Sequence, residues 1–328
     1  MANLAETIQN RQADWRRLEI MINRVASGRL SAISGKQLAE MGDLYRAACA
    51  DLSMAEQYRL SPEMVNYLHQ LVGRAHNTIY RSRRFQVNLW WDMVFRDAPQ
   101  QIFRDPCVHI CAILFFGIFA LSSYCAFNEE KFPGFVDNIV AQEQLRDMEE
   151  DWREMEFGRD FGTNLMAVAG YIQHNTSIGL ECFAKGPLIL PGLFTTSYNA
   201  CVLGTMFGYM ARPETDGGDK FLEFVTAHGP FELTAIALAA AAGLRIGVGI
   251  LITLGLRRMD SVRRNAMAAI PVMTASGILF FLAACTEGML SPSGLPYMFK
   301  AVWGMFCSTL LMFYFVVLGY PTERPGAT

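Results

Sequence analysis

The sequence predicts an all-α protein, a soluble helical bundle followed by a polytopic membrane helix bundle of about six spans. Three observations lead there. Of 328 residues, 52% are apolar and only 18% charged, and the apolar ones gather after Pro106, while the first hundred residues read as water-soluble. The apolar stretches match the roughly 20 helical residues that cross a hydrocarbon core of about 30 Å. The periodicity is that of helices, with no strand-like alternation. A net charge of −3 gives no nucleic-acid signal. The first twelve residues are polar and lack the apolar run of a cleavable signal peptide.

Residues 1–80 are expected to form a cytoplasmic helical bundle. Over 14–27, Trp15, Leu18, Met21, Ile22 and Val25 recur at steps of three and four; over 34–52, Met41, Leu44, Ala48 and Leu52 do the same. Ser61-Pro62-Glu63 has the form of a helix start. It opens a third stripe of Met64, Tyr67, Leu68, Leu71, Val72 and Ala75. His69 and His76, seven apart on this helix, read as packing or interface residues. Residues 81–105 are expected to continue it as an amphipathic helix at the membrane surface, with Arg81, Arg83 and Arg84 beside Trp90 and Trp91, ending at Pro99.

The transmembrane domain is placed at 106–321, with a short tail at 322–328. Stretches 107–127, 187–209, 266–290 and 296–320 read as spans, and 230–256 as one long apolar segment. The weaker 161–184 holds Asn164, Gln173, His174, Asn175 and Glu181. Charge decides for it. The segment 129–160 has 11 acidic and 4 basic residues, whereas Arg257, Arg258, Arg263 and Arg264 join the fourth span to the fifth. Six crossings put these arginines and Arg81, Arg83 and Arg84 on one side, which lysine and arginine in short loops mark as cytoplasmic. Both termini then lie inside. The acidic segment reads as helical, with an apolar edge of Ile139, Leu145, Met148, Trp152 and Met155 turned to the outer surface, to a partner, or merely solvated.

Gly204 with Gly208 and Gly243 with Gly247 allow close helix packing, within a chain or between two. Ionisable groups at membrane depth are costly and need partners or water. They are His174, the pairs Glu181–Lys185 and His228–Glu232 at four-residue spacing, Arg245, Glu287 and a lone His109. Arg245 is expected to pair with Glu232 or Glu287. Together with Asn175 these residues read as charges that pin helices together, as the lining of a polar cavity beside breaks at Gly229-Pro230 and Gly243–Gly247, or as a hydrolase centre. The last lacks the HExxH order and a third ligand. Eight cysteines occur singly without a CxxC pair, so they read as buried apolar residues. No catalytic residue, metal or cofactor is expected.

Trp15 to Leu18, the run Leu44-Tyr45-Arg46-Ala47-Ala48-Cys49-Ala50-Asp51-Leu52, and Tyr67-Leu68 through Arg74-Ala75-His76 to Ile79-Tyr80 are similar to segments of the stage II sporulation protein M family. So are His174-Asn175-Thr176, Ala184-Lys185-Gly186, His228-Gly229-Pro230-Phe231-Glu232-Leu233, Ala242-Gly243-Leu244 and Glu287-Gly288 with Ser291-Pro292. The resemblance covers nearly the whole chain, departing at Asn199-Ala200, where Asn-Gly is expected. It implies an integral protein of the bacterial cytoplasmic membrane, a non-enzymatic scaffold that self-associates and recruits a protein partner in the cell envelope. The alternative is an ion or small-solute transporter that uses the intramembrane Glu, His and Arg residues. Beyond the lipid bilayer and a second copy, no partner is identified.

Overall fold

A computed structural model describes residues 2–26, 35–79 and 87–320. No strand occurs among the described residues. The chain divides into two compact units, Met1–Gln86 and Val87–Thr328.

The first unit consists of α1 (Ala2–Ala26), α2 (Gly35–Gln57) and α3 (Pro62–Ile79). The expected stripes close on one another: Trp15, Leu18, Ile22 and Val25 meet Met41 and Ala48, and Leu68, Leu71 and Ala75 complete the core. α1 starts well before residue 14, and Leu4 and Ile8, four apart in its first turns, continue the helical period of Trp15, Leu18, Ile22 and Val25. Asp51 lies inside this core, accepting from Trp15 Nε1 at 2.7 Å and from Arg11 Nε at 3.0 Å. His69 Nε2 sits 2.8 Å from Glu56 Oε1, and His76 Nδ1 3.1 Å from the Tyr45 hydroxyl. Each histidine thus has its own partner.

The second unit opens with α4 (Val87–Asp92), a π-turn at Met93–Asp97 and α5 (Ala98–Arg104). Pro99 does not end this helix. It lies in the first turn of α5, where a missing N–H costs least, and the wider π-turn takes up the mismatch. Ala98 and Ile102 enter the main core. Residues 87–104 therefore belong to the second unit and do not form a separate linker. Trp91 is 56% exposed and Trp90 half-buried. Arg81, Arg83 and Arg84 lie outside the described residues, as does the tail 322–328.

The long helices are α6 (Pro106–Phe127), α9 (Phe161–Lys185), α10 (Leu190–Met210), α11 (Gly218–Leu251), α12 (Arg258–Cys285) and α13 (Tyr297–Met312). Between α6 and α9 run the short α7 (Phe135–Ile139) and α8 (Gln142–Glu154). Among the described residues, four stretches are long and apolar enough to cross a membrane: Pro106–Phe127, Gly218–Leu251, Arg258–Leu290 and Tyr297–Val317. α9 and α10 have spanning length but carry more polar residues. Large apolar side chains face outward, with Ile113 75%, Phe194 72% and Phe306 56% exposed. Such a surface suits hydrocarbon and not water.

Close contacts fix the helix directions. On α10, Gly204 lies against Phe119 and Gly208 against Ser123, so α10 runs parallel to α6. Gly179 faces Ala239 and Gly243 faces Phe183, so α9 runs parallel to α11. Gly249 meets Asn265, and Ser276 Oγ donates to the Ala235 carbonyl at 2.7 Å, so α12 runs back along α11. Lys300 pairs with Glu223, and Gly304 abuts Thr226, which makes α13 parallel to α11. The six long helices thus alternate in direction along the chain, and α9 supplies the return between α6 and α10.

α11 is the central post. Residues 235–242 are all buried, and six of these eight positions, all but Ile236 and Leu238, are alanine, a small surface that lets α6, α9, α12 and α13 close in. The expected break at Gly229-Pro230 is absent, for α11 passes straight through Pro230. Proline leaves the carbonyl four residues earlier, that of Thr226, without its helical donor. Gly304 of α13 comes against this oxygen, so close that a Cβ there would stand 2.4 Å from it. Neighbouring helices make such prolines tolerable in membranes. Irregular backbone occurs elsewhere. A 3-10 turn, Gly186–Leu188, and Ile189 at φ 58° join α9 to α10, and π-turns at Thr286–Leu290 and Phe313–Val317 end α12 and α13.

The acidic segment folds over one end of the bundle, here the acidic end. Leu145 and Met148 pack beside Met206 and Tyr209, and the Trp152 ring lies 5.3 Å from Phe221 and 5.1 Å from Phe224. Its apolar edge is therefore occupied within the chain. Lys220 Nζ donates to the carbonyls of Arg153 and Met155 at 2.8 and 2.7 Å, and Arg212 binds Glu129 and the Ala126 carbonyl. Arg257, Arg258, Arg263 and Arg264 mark the opposite, arginine end.

Candidate functional site

Three helices deliver polar side chains to one place beneath the acidic segment. α11 brings His228 and Glu232, one turn apart, with His228 Nε2 3.6 Å from Glu232 Oε2. The π-turn after α12 brings Glu287. One ligand atom each of His228, Glu232 and Glu287 lies within 4.8 Å of the others. α9 adds Asn175, whose Nδ2 donates to Glu287 Oε2 at 2.8 Å. Ser291 Oγ stands 2.9 Å from His228 Nδ1, which leaves Nε2 as the ring atom that faces Glu232. Beside Glu287, Gly288 packs closely on α9, where an added Cβ would stand 2.4 Å from Val168 Cγ2 and 3.0 Å from its backbone nitrogen.

The grouping is buried. His228 is 4% exposed and Glu287 8%. His228 lies ten residues into α11, roughly 15 Å from its N-terminal end at 1.5 Å per residue. Among the described residues, neither Glu232 nor Glu287 has a lysine or arginine within ion-pair distance. Two carboxylates and an imidazole so placed are held by one another, by amide and hydroxyl dipoles, or by a cation.

A cavity of about 540 Å³ opens onto this grouping from the acidic end. Its lining includes Asp151, Glu154, Glu156, Arg159, Tyr171 and the buried Glu287. The acidic lip outnumbers Arg159. The segment that forms this lip is anchored by Asp160, which caps α9 by accepting from Gly162 N at 2.9 Å and Thr163 N at 3.1 Å. Hydrogen bonds from Thr163, side chain first, hold the Asp160 carboxyl below its ordinary range. Glu129 is likewise lowered, by the Gly134 amide first and then by Arg212.

The remaining expected site residues lie elsewhere. Arg245 pairs with neither glutamate. Its Nη1 lies 2.7 Å from Asp105 Oδ1 at the arginine end, because thirteen residues of helix put it roughly 20 Å from Glu232. Glu181 and Lys185 do pair with each other, but on an exposed face of α9. His174, next to Asn175 in sequence, points outward and is exposed, as is His109. The glycines act inside the chain. Gly204 and Gly208 seat α10 on the backbone of α6, while Gly243 and Gly247 receive Phe183 and the Gly186–Leu188 turn.

Two arrangements were not anticipated. Lys300, fully buried on α13, pairs with Glu223 at 2.7 Å and lies 4.0 Å above the Phe157 ring. Its place four residues inside the expected 296–320 span was the available signal. Ser291 completes a Ser–His–Glu order with His228 and Glu232, yet it is 0% exposed. A nucleophile must reach its substrate, and the cavity arrives at Glu287 instead.

Comparison with protein families gives two matches. The family described as Stage II sporulation protein M matches residues 111–292, just over half of the chain, and a domain of unknown function matches residues 5–81. The likeness is thus shorter than the nearly full length expected from the motifs, and it includes His228, Glu232 and Glu287. No curated protein and no solved structure matches. The chain, a multi-pass helical membrane protein, belongs to the Stage II sporulation protein M family.

Proposed function

We propose that this protein is a non-enzymatic ion or small-solute carrier of a bacterial cytoplasmic membrane, receiving a cationic ligand from the outer face. The observation behind this reading is the convergence of His228, Glu232 and Glu287, together with a cavity of acidic lining that reaches Glu287. Buried ionisable groups in membrane helices mark ion and substrate paths, and π-turns recur at functional sites. The alternating helix directions and the arginines between α11 and α12 support cytoplasmic termini. The burial of Ser291 speaks against acyl-transfer chemistry.

The scaffold reading rests on a different feature. An apolar groove of about 720 Å³ runs among α6, α11 and α13, lined by Phe116, Phe119, Leu233, Leu238, Met312 and Phe315, and would hold an apolar partner segment. The glycine pairs and the apolar edge of the acidic segment, the other features expected to bind partners, are occupied within the chain. Reconstitution separates the two readings. A carrier moves a monovalent or divalent cation across liposomes, and Glu287→Gln abolishes the flux while the protein still elutes as wild type. Absence of flux for every cation in the panel, with a protein retained on the purified chain through mild detergent, would favour the scaffold.

A further inference from the structure

We infer that His228, Glu232 and Glu287 form a binding site for a divalent first-row transition metal, Zn(II) or Mn(II). This deepens the carrier reading by naming the class of cation, and it rests on that reading only for the claim that the ion moves.

The donor set has the right chemistry. Imidazole and carboxylate ligands suit Zn(II) and Mn(II), and three protein ligands with an open position leave room for water or an incoming ligand. The cavity that reaches Glu287 lies on the open side. The donor atoms stand within 4.8 Å of one another, and an ion held among them would sit about 2.1 Å from each.

The surrounding groups are those that position ligands. Metal-bound histidines are oriented by a hydrogen bond at the other ring nitrogen, and ligating carboxylates are themselves hydrogen-bonded. Here Ser291 Oγ meets His228 Nδ1 at 2.9 Å, and Asn175 Nδ2 donates to Glu287 Oε2 at 2.8 Å. His228 Nε2 and Glu287 Oε1 remain without these supporting hydrogen bonds. Asn175 is 1% exposed and Ser291 0%, so both partners are fixed by packing on separate elements. A divalent ion also answers the electrostatic problem of two buried carboxylates without a lysine or arginine beside them. Arg159 and Tyr171 line the approach, and Asp151, Glu154 and Glu156 raise the local cation concentration.

The test uses the full-length chain in detergent or nanodiscs, stripped with chelator and titrated with Zn(II) or Mn(II). One saturable equivalent per chain is expected, with X-ray absorption showing nitrogen and oxygen ligands including one imidazole. Glu287→Gln, Glu232→Gln and His228→Gln should each weaken binding at least tenfold, and Asn175→Ala by roughly tenfold, the loss typical of a supporting group. For any variant that fails to fold, the wild-type absorption spectrum decides separately. Sulfur ligation from the free cysteines, no saturable binding, or binding untouched by all three substitutions would each overturn the site. Saturable binding without metal flux in liposomes would overturn the carrier reading alone, and a flux of other cations without metal binding would overturn this site alone.

Discussion

Asp105 Oδ1 and Arg245 Nη1 stand 2.7 Å apart, joining the first turn of α6 to the last third of α11. Asp105 also caps α6 by accepting from Cys107 N at 3.0 Å and receives Gln101 Nε2 at 3.1 Å. One carboxylate, 1% exposed, thus closes a helix end and neutralises an arginine. Asp105→Ala strands that arginine, a loss of ~3–5 kcal/mol for a buried pair, toward the lower figure since Arg245 is 25% exposed. Thermal unfolding in detergent should show Asp105→Ala as the least stable of a cycle in which Asp105→Ala with Arg245→Met recovers part of the loss. Equal melting of the single and double variants would remove the pair from the account.

Glycine marks the seam between α6 and α10. A Cβ at Gly208 would stand 2.1 Å from the Ser123 carbonyl oxygen and one at Gly204 2.3 Å from that of Phe119, whereas Gly170 and Gly277 have open space. Gly204→Ala and Gly208→Ala should each destabilise the chain by about 1–3 kcal/mol, the usual penalty for overpacking. Gly170→Ala and Gly277→Ala should be neutral or slightly stabilising, because alanine is the better helix former. Unfolding midpoints check the contrast, and the oligomeric state should be the same in all four variants. A change of oligomeric state confined to Gly204→Ala and Gly208→Ala would put the seam between copies.

Lys300 and Glu223 are unequal partners. Lys300 is fully buried, whereas the Glu223 side chain is 25% exposed. Removing the carboxylate leaves a buried ammonium with only the Phe157 face, 4.0 Å away. Removing the ammonium leaves a carboxylate that water reaches. Glu223→Gln should therefore cost more than Lys300→Met, the first within the ~3–5 kcal/mol range of a broken buried pair. The unfolding order of the two variants checks it, and the reverse order would mean that Lys300 reaches solvent on opening.

The architecture was legible because burial in hydrocarbon imposes long apolar runs and burial in a small bundle imposes stripes. Trp15, Leu18, Met41, Leu68 and Leu71 were all readable as core, and the apolar edge from Leu145 to Trp152 was readable as an edge. Its counterpart was not, since Phe221 and Phe224 lie some seventy residues away. The site was half legible for the same reason. His228 and Glu232 share a turn, so their spacing shows the pair, but Glu287 comes from another helix and only packing brings it there. Asn175 and His174 are neighbours in sequence with opposite fates, because α9 shows a weak apolar face and its rotation could not be set. Arg245 was assigned to the wrong carboxylates, although thirteen helical residues already separate it from Glu232. Proline misleads twice, at Pro99, which follows a π-turn without ending the helix, and at Pro230, which α11 passes straight through.

Acid should loosen the acidic end by way of Glu129. This carboxylate accepts from Gly134 N at 3.0 Å and from Arg212, whose guanidinium also holds the Ala126 carbonyl at the end of α6. Both contacts favour the ionised form, so the folded value lies below the ordinary 4.5, with the amide the larger cause. A carboxylate lowered on folding contributes stability in full above its unfolded value, and the contribution is lost as pH falls through the lower folded value. Wild type and Glu129→Gln should therefore differ most in melting temperature near pH 7 and converge below about pH 4. Glu129 is well exposed, so the Arg212 share should shrink in molar salt while the amide share persists. A gap between the two proteins that widens on acidification would reverse the sign and exclude ionised Glu129 as a clasp.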